Sequence, residues 1–434
     1  MKIKFAITIF IMIIVSVSCN QDPIFNKISE ETMLEEALVK GTPTNMVQFT
    51  RRYADPDGGP DIEVPILYVA SGTSLHWYAK SGLGTGASKW NLKEYAIKQP
   101  SSGQRIIAIA ATSDRLYALL MNETNLSSSL RSIGPTETQW SPVGNNDNTF
   151  TLLQTLYADH SQTSLFAGAR GSTSNTYGIL YVKDGSSNME LLKSDTSMLQ
   201  GVAFNDDNFF LATGGKGIYC ISKTDIDLGG AIDDAAVMQL PEKLPEGDTG
   251  EGNSNRTFMS IIKLVNDLPE NNIIIAAERI GGCLYLVEED SFKGLKYTAE
   301  DFTEKITVGS YATSALALWE DKLDPTKKML VAGMQGNLNS SSNSSYTNGY
   351  VEFDRKPDGS FDTATPRRNP PTLSVDSNTD RYTSTIGTHL INHLFQAPKE
   401  IDNDMTFFAS TQNAGLYSYR DRPKIGGLQW NAEN

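Results

Sequence analysis

The residues in this chain whose type and spacing best suit chemistry are carboxylates. Asp55, Asp57 and Asp61 alternate around Gly58 and Gly59, and Asp225, Asp227 and Asp233 alternate around Gly229 and Gly230. Calcium takes six to eight oxygen ligands, and alternating carboxylates on a glycine-loosened turn can supply them. An EF-hand loop also needs a bidentate Glu at its twelfth position, where the second stretch has Ala236. The six aspartates are therefore candidate calcium ligands, weighed against plain solvated acidic turns.

The other reactive side chains are sparse. His389 and His393 have the spacing of a helical zinc pair, but Leu390 replaces the acid that such a motif places after its first His. On a strand the two would share a face about 13 Å apart, too far for one ion. His76, beside Trp77, reads as a packed strand residue, and no Ser-His-Asp order is discernible. Cys220 and Cys283 stand at different offsets from their neighbouring tyrosines, which points to two buried thiols rather than a disulfide. No catalytic residue, metal centre or cofactor is assigned from the sequence.

These residues sit on a repeating frame. Phe209-Phe210-Leu211-Ala212-Thr213 runs through Gly214-Gly215-Lys216-Gly217 into Ile218-Tyr219-Cys220-Ile221. Aromatic and β-branched residues suit a pleated, packed surface, and glycines supply the turn. The unit recurs near residues 67, 117, 166, 274, 330 and 408, with Leu130 replacing the tyrosine in the second copy. An apolar segment precedes many copies, such as Ile106–Ala110 or Ala315–Trp319, and a weaker one follows, such as Lys89–Leu92 or Thr138–Ser141. Four antiparallel strands repeating every roughly 45–80 residues predict an all-β fold, a seven-bladed β-propeller of four-stranded antiparallel blades. Polar stretches at 225–254, 337–348 and 355–383 read as surface excursions.

Ahead of this frame, Lys2 and Lys4 precede an apolar run from Phe5 to Val15 and then Ser16-Val17-Ser18-Cys19. The run falls short of the roughly 20 residues needed to span a bilayer and reads as an export signal. The sequence around Cys19 resembles the lipobox of bacterial lipoproteins of the spirochaete type, with Ser16 where Leu is usual. The resemblance implies lipidation of Cys19 and an exported, membrane-anchored protein of the cell envelope. The expected organisation is a signal peptide at 1–18, a lipidated tether with a short helix at 19–44, and a propeller at 45–434.

Two further stretches, Ser81-Gly82-Leu83-Gly84-Thr85-Gly86-Ala87-Ser88-Lys89-Trp90 and Ser132-Ile133-Gly134-Pro135-Thr136-Glu137-Thr138-Gln139-Trp140, resemble the Asp-box hairpins of sialidase-type propellers, without the aspartate. In that family the motif is structural and lies away from the active site. A sialidase also needs an arginine triad, for which Arg279, Arg381 and Arg420 are the scattered candidates.

Charge narrows the partners. The chain carries 51 acidic against 37 basic residues, a formal net charge of −14. Such a surface repels nucleic acid and anionic headgroups, so membrane attachment requires the lipid. The reading that follows is a lipid-anchored envelope propeller acting as a non-catalytic platform for an envelope or host protein or a ligand. The alternatives are a glycan-active hydrolase and a calcium- or glycan-binding module.

Overall fold

The computed structural model describes residues 38–100, 103–171, 176–182, 186–227, 236–240, 258–264, 273–278, 284–288, 291–295, 312–335, 349–356, 361–362, 367–368, 386, 389–421 and 428–433. Strands dominate them. The first set is β1 (Val47–Tyr53), β2 (Ile62–Ser71), β3 (Ser74–Lys80) and β4 (Ser88–Trp90). The second is β5 (Arg105–Ala111), β6 (Leu116–Met121), β7 (Ser128–Ile133) and β8 (Ser141–Asn145). A third contains β9 (Leu152–Ala158), β10 (Leu165–Arg170), β11 (Tyr177–Val182) and β12 (Asn188–Thr196). The fourth is β13 (Leu199–Phe204), β14 (Asn208–Thr213), β15 (Ile218–Ser222) and β16 (Met238–Gln239). Next come β17 (Phe258–Leu264), β18 (Ile273–Glu278), β19 (Leu284–Glu288) and β20 (Ser291–Leu295). They are followed by β21 (Ala312–Glu320), β22 (Lys328–Gln335), β23 (Gly349–Asp354) and β24 (Arg367–Arg368). The last set is β25 (Ile391–Gln396), β26 (Phe407–Thr411), β27 (Gly415–Asp421) and β28 (Leu428–Ala432).

Within each set the strands pair in chain order and antiparallel. The second and third sets join into one eight-stranded sheet through a short parallel contact of β8 with β12. Each hairpin read from the sequence is present: Leu211 pairs with Tyr219, Ala276 with Tyr285 and Ala409 with Tyr417. The first strands touch in succession, β1 to β5, β5 to β9, and so on to β21 and β25. The last set then packs on the first through Phe408, Leu416, Leu67 and Val69. The described chain is therefore an all-β, propeller-like array of four-stranded antiparallel sheets.

The period-2 alternation of a strand explains how consecutive apolar residues are all used. Phe209 faces the seam between the third and fourth sets, and Phe210 the seam between the fourth and fifth. Likewise Phe407 packs against the sixth set and Phe408 against the first. Tyr219 joins the first of these seams, and the buried Cys220 joins the second. The glycine turn of β14–β15 also has a specific cause. Thr213 Oγ1 donates to the Gly217 carbonyl at 2.8 Å, and Gly217 has φ +72°, a region that favours glycine. Thr411 and Gly415 repeat that arrangement in the last set, at 2.7 Å and φ +87°.

One expectation needs correction. Trp140 does not lie in a trailing strand: β8 begins after it, at Ser141, and the indole donates to the Lys98 carbonyl at 2.7 Å. The described end of the expected tether, residues 38–40, is not helical. Instead, the Leu38 N–H donates to Glu433 O at 2.6 Å, and Val39 and Gly41 accept from Leu416 and Gly415. The remainder of the tether, Cys19 and Cys283 lie outside the described residues.

Candidate functional site

Strands alternate in direction, so the β1–β2 type and β3–β4 type turns of each set share one rim, and the other connections share the opposite rim. On the first rim the sixth, last and first sets enclose a cleft of about 480 Å³. Trp319 and Glu320 come from the end of β21, Asp321 to Leu323 from the β21–β22 turn, and Asp402 to Thr406 from the β25–β26 loop. Tyr78 and Ser88 close it from the first set.

The cleft wall is fixed by local hydrogen bonding. Asp402, 5% exposed, accepts from Tyr78 Oη at 3.1 Å, from Thr406 Oγ1, and from the Asp404 N–H at 3.1 Å. Its carboxylate thereby holds the β25–β26 loop in shape. Gln396 staples the two neighbouring loops: its Oε1 accepts from the Glu320 N–H at 2.9 Å, and its Nε2 donates to the Glu320 and Met405 carbonyls. Asp321 Oδ1 accepts from the Leu323 N–H at 2.8 Å, so the turn places Leu323 outward, 85% exposed. Burial, and then the Asp402 charge, push the Tyr78 phenol above its ordinary range, so it stays a neutral donor.

Trp319, Phe407, Phe408 and Tyr419 line the base of the cleft, each at most 7% exposed, and the core residue Trp430 lies behind Phe407 and Tyr419. The Phe407 and Tyr419 rings stand 5.6 and 5.5 Å from Trp430, and Trp430 Nε1 donates to Tyr350 Oη at 3.2 Å. Five carboxylates line the cleft: Glu320, Asp321, Asp402, Asp404 and Glu433. Among the described residues two ammonium groups answer them, Lys322 at 2.7 Å from Asp404 and Lys328 at 3.2 Å from Glu320. Asp402 and Glu433 are buried in the wall, which leaves Glu320, Asp321 and Asp404 with Lys322 around a net negative mouth.

The candidate calcium ligands fall elsewhere. Asp55 is half-buried in the β1–β2 turn, where its Oδ1 accepts from the Asp57 N–H at 2.9 Å. Asp57 and Asp61 are exposed, and Asp225 is exposed on the short helix Lys223–Asp227, which also contains Asp227. Asp233 lies outside the described residues. Among the described residues no group of three or more His, Cys, Asp or Glu side chains is placed to hold a metal ion. His389 precedes β25 and rests near Tyr417, whereas His393, within β25, accepts at Nδ1 from the Met46 N–H at 3.2 Å. Arg279 and Arg381 lie outside the described residues.

The stretch resembling a second Asp-box is a structural clamp. Arg51, 3% exposed, donates to the Gly134 and Glu137 carbonyls at 2.6 Å each. Partial burial pushes the Glu137 carboxyl up, but bonds from the Gly134 N–H and Arg115 outweigh it and hold the group below its ordinary range.

No protein-family model matches the chain. No curated protein matches it. Solved structures do show a likeness in fold. The extracellular domain of a one component system, BT4673, of B. thetaiotaomicron has 10% identity and a TM-score of 0.46, covering 90% of this chain. This chain spans only 40% of the length of that structure. A protein from Lactobacillus plantarum has 11% identity and a TM-score of 0.46, covering 90% of this chain and 96% of its own. YCF48 bound to D1 peptide has 11% identity and a TM-score of 0.43, covering 88% and 93%.

The cleft was not legible in the sequence, because its residues come from three sets separated by hundreds of positions. Its faint signal was the recurrence of acids just after a first strand, Glu320-Asp321 in one repeat and Asp402-Asn403-Asp404 in the next.

Proposed function

We propose that the protein is an exported, lipid-anchored, seven-bladed β-propeller that binds a partner or ligand without transforming it. Each four-strand set is then one blade, Cys19 carries the lipid, and the propeller works as a platform in the cell envelope. The cleft between the sixth, last and first sets carries this reading. Its volume lies within the range of ligand pockets, roughly 300–1,000 Å³. It joins apolar lining to convergent polar groups, the combination that gives binding sites both affinity and orientation. Leu323 at its lip, 85% exposed, adds an apolar side chain that a bound partner can contact.

A photo-crosslinking residue at position 323 tests the reading in cells. A discrete adduct is expected from position 323 and not from position 126, which is 63% exposed on the opposite rim. Trp319→Ala, which removes a cleft wall, should abolish the adduct. Equal adducts from both positions, or adducts indifferent to Trp319→Ala, would refute the cleft as the site.

A further inference from the structure

From charge, shape and apolar lining together, we infer that the cleft takes a lysine- or arginine-bearing segment of another polypeptide, with an apolar side chain beside the cation. The inference rests on the binding-platform reading and names the partner chemistry of that same site. Three features select this occupant. The first is electrostatic: Glu320, Asp321 and Asp404 at the mouth, with the buried Asp402 and Glu433 behind them, outnumber the ammonium groups of Lys322 and Lys328, so a cation is drawn in and an anion is rejected.

The second is accessibility of that charge. Asp404 is 73% exposed at its side chain and its Lys322 partner 44%, so their ion pair is weak and open to exchange with an incoming cation. Asp402, by contrast, is occupied by Tyr78, Thr406 and the Asp404 N–H, and serves as framework rather than contact.

The third is apolar surface. A bare metal ion or a polyamine would leave Leu323 uncovered at the lip. An Arg or Lys beside a Leu- or Ile-like neighbour offers apolar side-chain surface to Leu323 and the cleft base together with a cation for the carboxylates. The volume admits two or three such side chains and not a folded domain, so the occupant enters as an extended segment. A membrane surface is the wrong occupant, because an acidic rim repels anionic headgroups.

The test is fluorescence anisotropy on the full chain with three labelled probes, (Leu-Lys-Gly)3, (Leu-Glu-Gly)3 and (Gly-Lys-Gly)3. The first should bind at least tenfold more tightly than either of the others. Combining Glu320→Gln, Asp321→Asn and Asp404→Asn should weaken it at least tenfold. Combining Asp206→Asn, Asp207→Asn and Asp225→Asn removes equal charge from exposed sites of the fourth set on the same rim, and should change affinity less than twofold. Equal weakening by both triple variants would show attraction to net charge alone and overturn the inference, as would absence of binding by any probe. Equal binding of (Leu-Glu-Gly)3, lost on Leu323→Asp, would overturn the cationic preference while leaving the cleft reading standing. Binding of (Leu-Lys-Gly)3 unchanged by Leu323→Asp, by Trp319→Ala and by the cleft triple variant would overturn both. Leu323→Asp alters a side chain that is 85% exposed, so it keeps the test independent of folding defects.

Discussion

The Tyr78 hydroxyl donates to the Asp402 carboxylate across 3.1 Å, although 324 residues separate them in the chain. The bond ties the first set to the last. Among the described residues no strand of one is shared with the other, so this seam is closed by side chains and by residues 38–44. Tyr78→Phe should cost about 1–2 kcal/mol, and Asp402→Ala about 2–3 kcal/mol, because it leaves the half-buried Tyr78 phenol and the buried Thr406 hydroxyl without an acceptor. A double-mutant cycle by urea denaturation should show coupling of about 1 kcal/mol; independent effects would mean that the bond does not hold the seam.

Phe408 is fully buried between the same two sets, with ring centroids 5.5 Å from Tyr78 and 6.0 Å from Trp90. Phe408→Ala should destabilise by about 3–5 kcal/mol in the same assay. Leu126→Ala, at an exposed turn, should stay within about 0.5 kcal/mol.

A histidine makes the seam sensitive to acid. Burial lowers the His393 imidazole from its ordinary 6.5 to about 4, and its Nδ1 must stay unprotonated to accept from Met46. The unfolded chain therefore takes up this proton first as pH falls. The stabilisation is complete above about pH 6.5 and is lost on acidification towards 4. Since the side chain is only half-buried by accessible area, the expected loss by pH 5 is about 1 kcal/mol. Melting of His393→Gln should lack this component between pH 7 and 5; an identical slope would assign it to other groups.

Close approach of neighbouring first strands can be tested at Gly168. A Cβ there would stand 2.4 Å from Thr155 Oγ1 and 3.1 Å from the Leu199 backbone nitrogen. Gly168→Ala should therefore cost about 1–3 kcal/mol by overpacking, read as a lowered Tm. A neutral result would show that the seam between the third and fourth sets yields.

Cys19→Ala tests the proposed anchor. The protein should move from the detergent-extracted membrane fraction to the soluble fraction, and unchanged fractionation would sink the lipoprotein reading.

The repeat was legible because strand chemistry is local. Phe209 to Thr213, the glycines after them and Ile218 to Ile221 encode a hairpin without reference to the rest of the chain. Two adjacent phenylalanines in one strand also implied cover on both faces, which the seams on either side of the fourth set bear out. Trp140 misled because an aromatic near a strand start looks the same whether it lies in the strand or in the turn before it. The end of the tether carried no such local signal: that Leu38 to Gly41 meet β27 and Glu433 depends on an edge formed at the other end of the chain.

By itself, then, the sequence determined the strands, their hairpin pairing and the acidic surface, all of which follow from neighbours within a few dozen residues. Tertiary structure decided which acids gather. Asp55, Asp57 and Asp61 lie within one short stretch, yet the Asp55 carboxylate accepts from the Asp57 N–H of its own turn. Glu320, Asp404 and Glu433 are distant, yet they line one cleft. Packing one set of strands on the next fixes which rim turns become neighbours, and that relation is a property of the whole ring that no local pattern encodes.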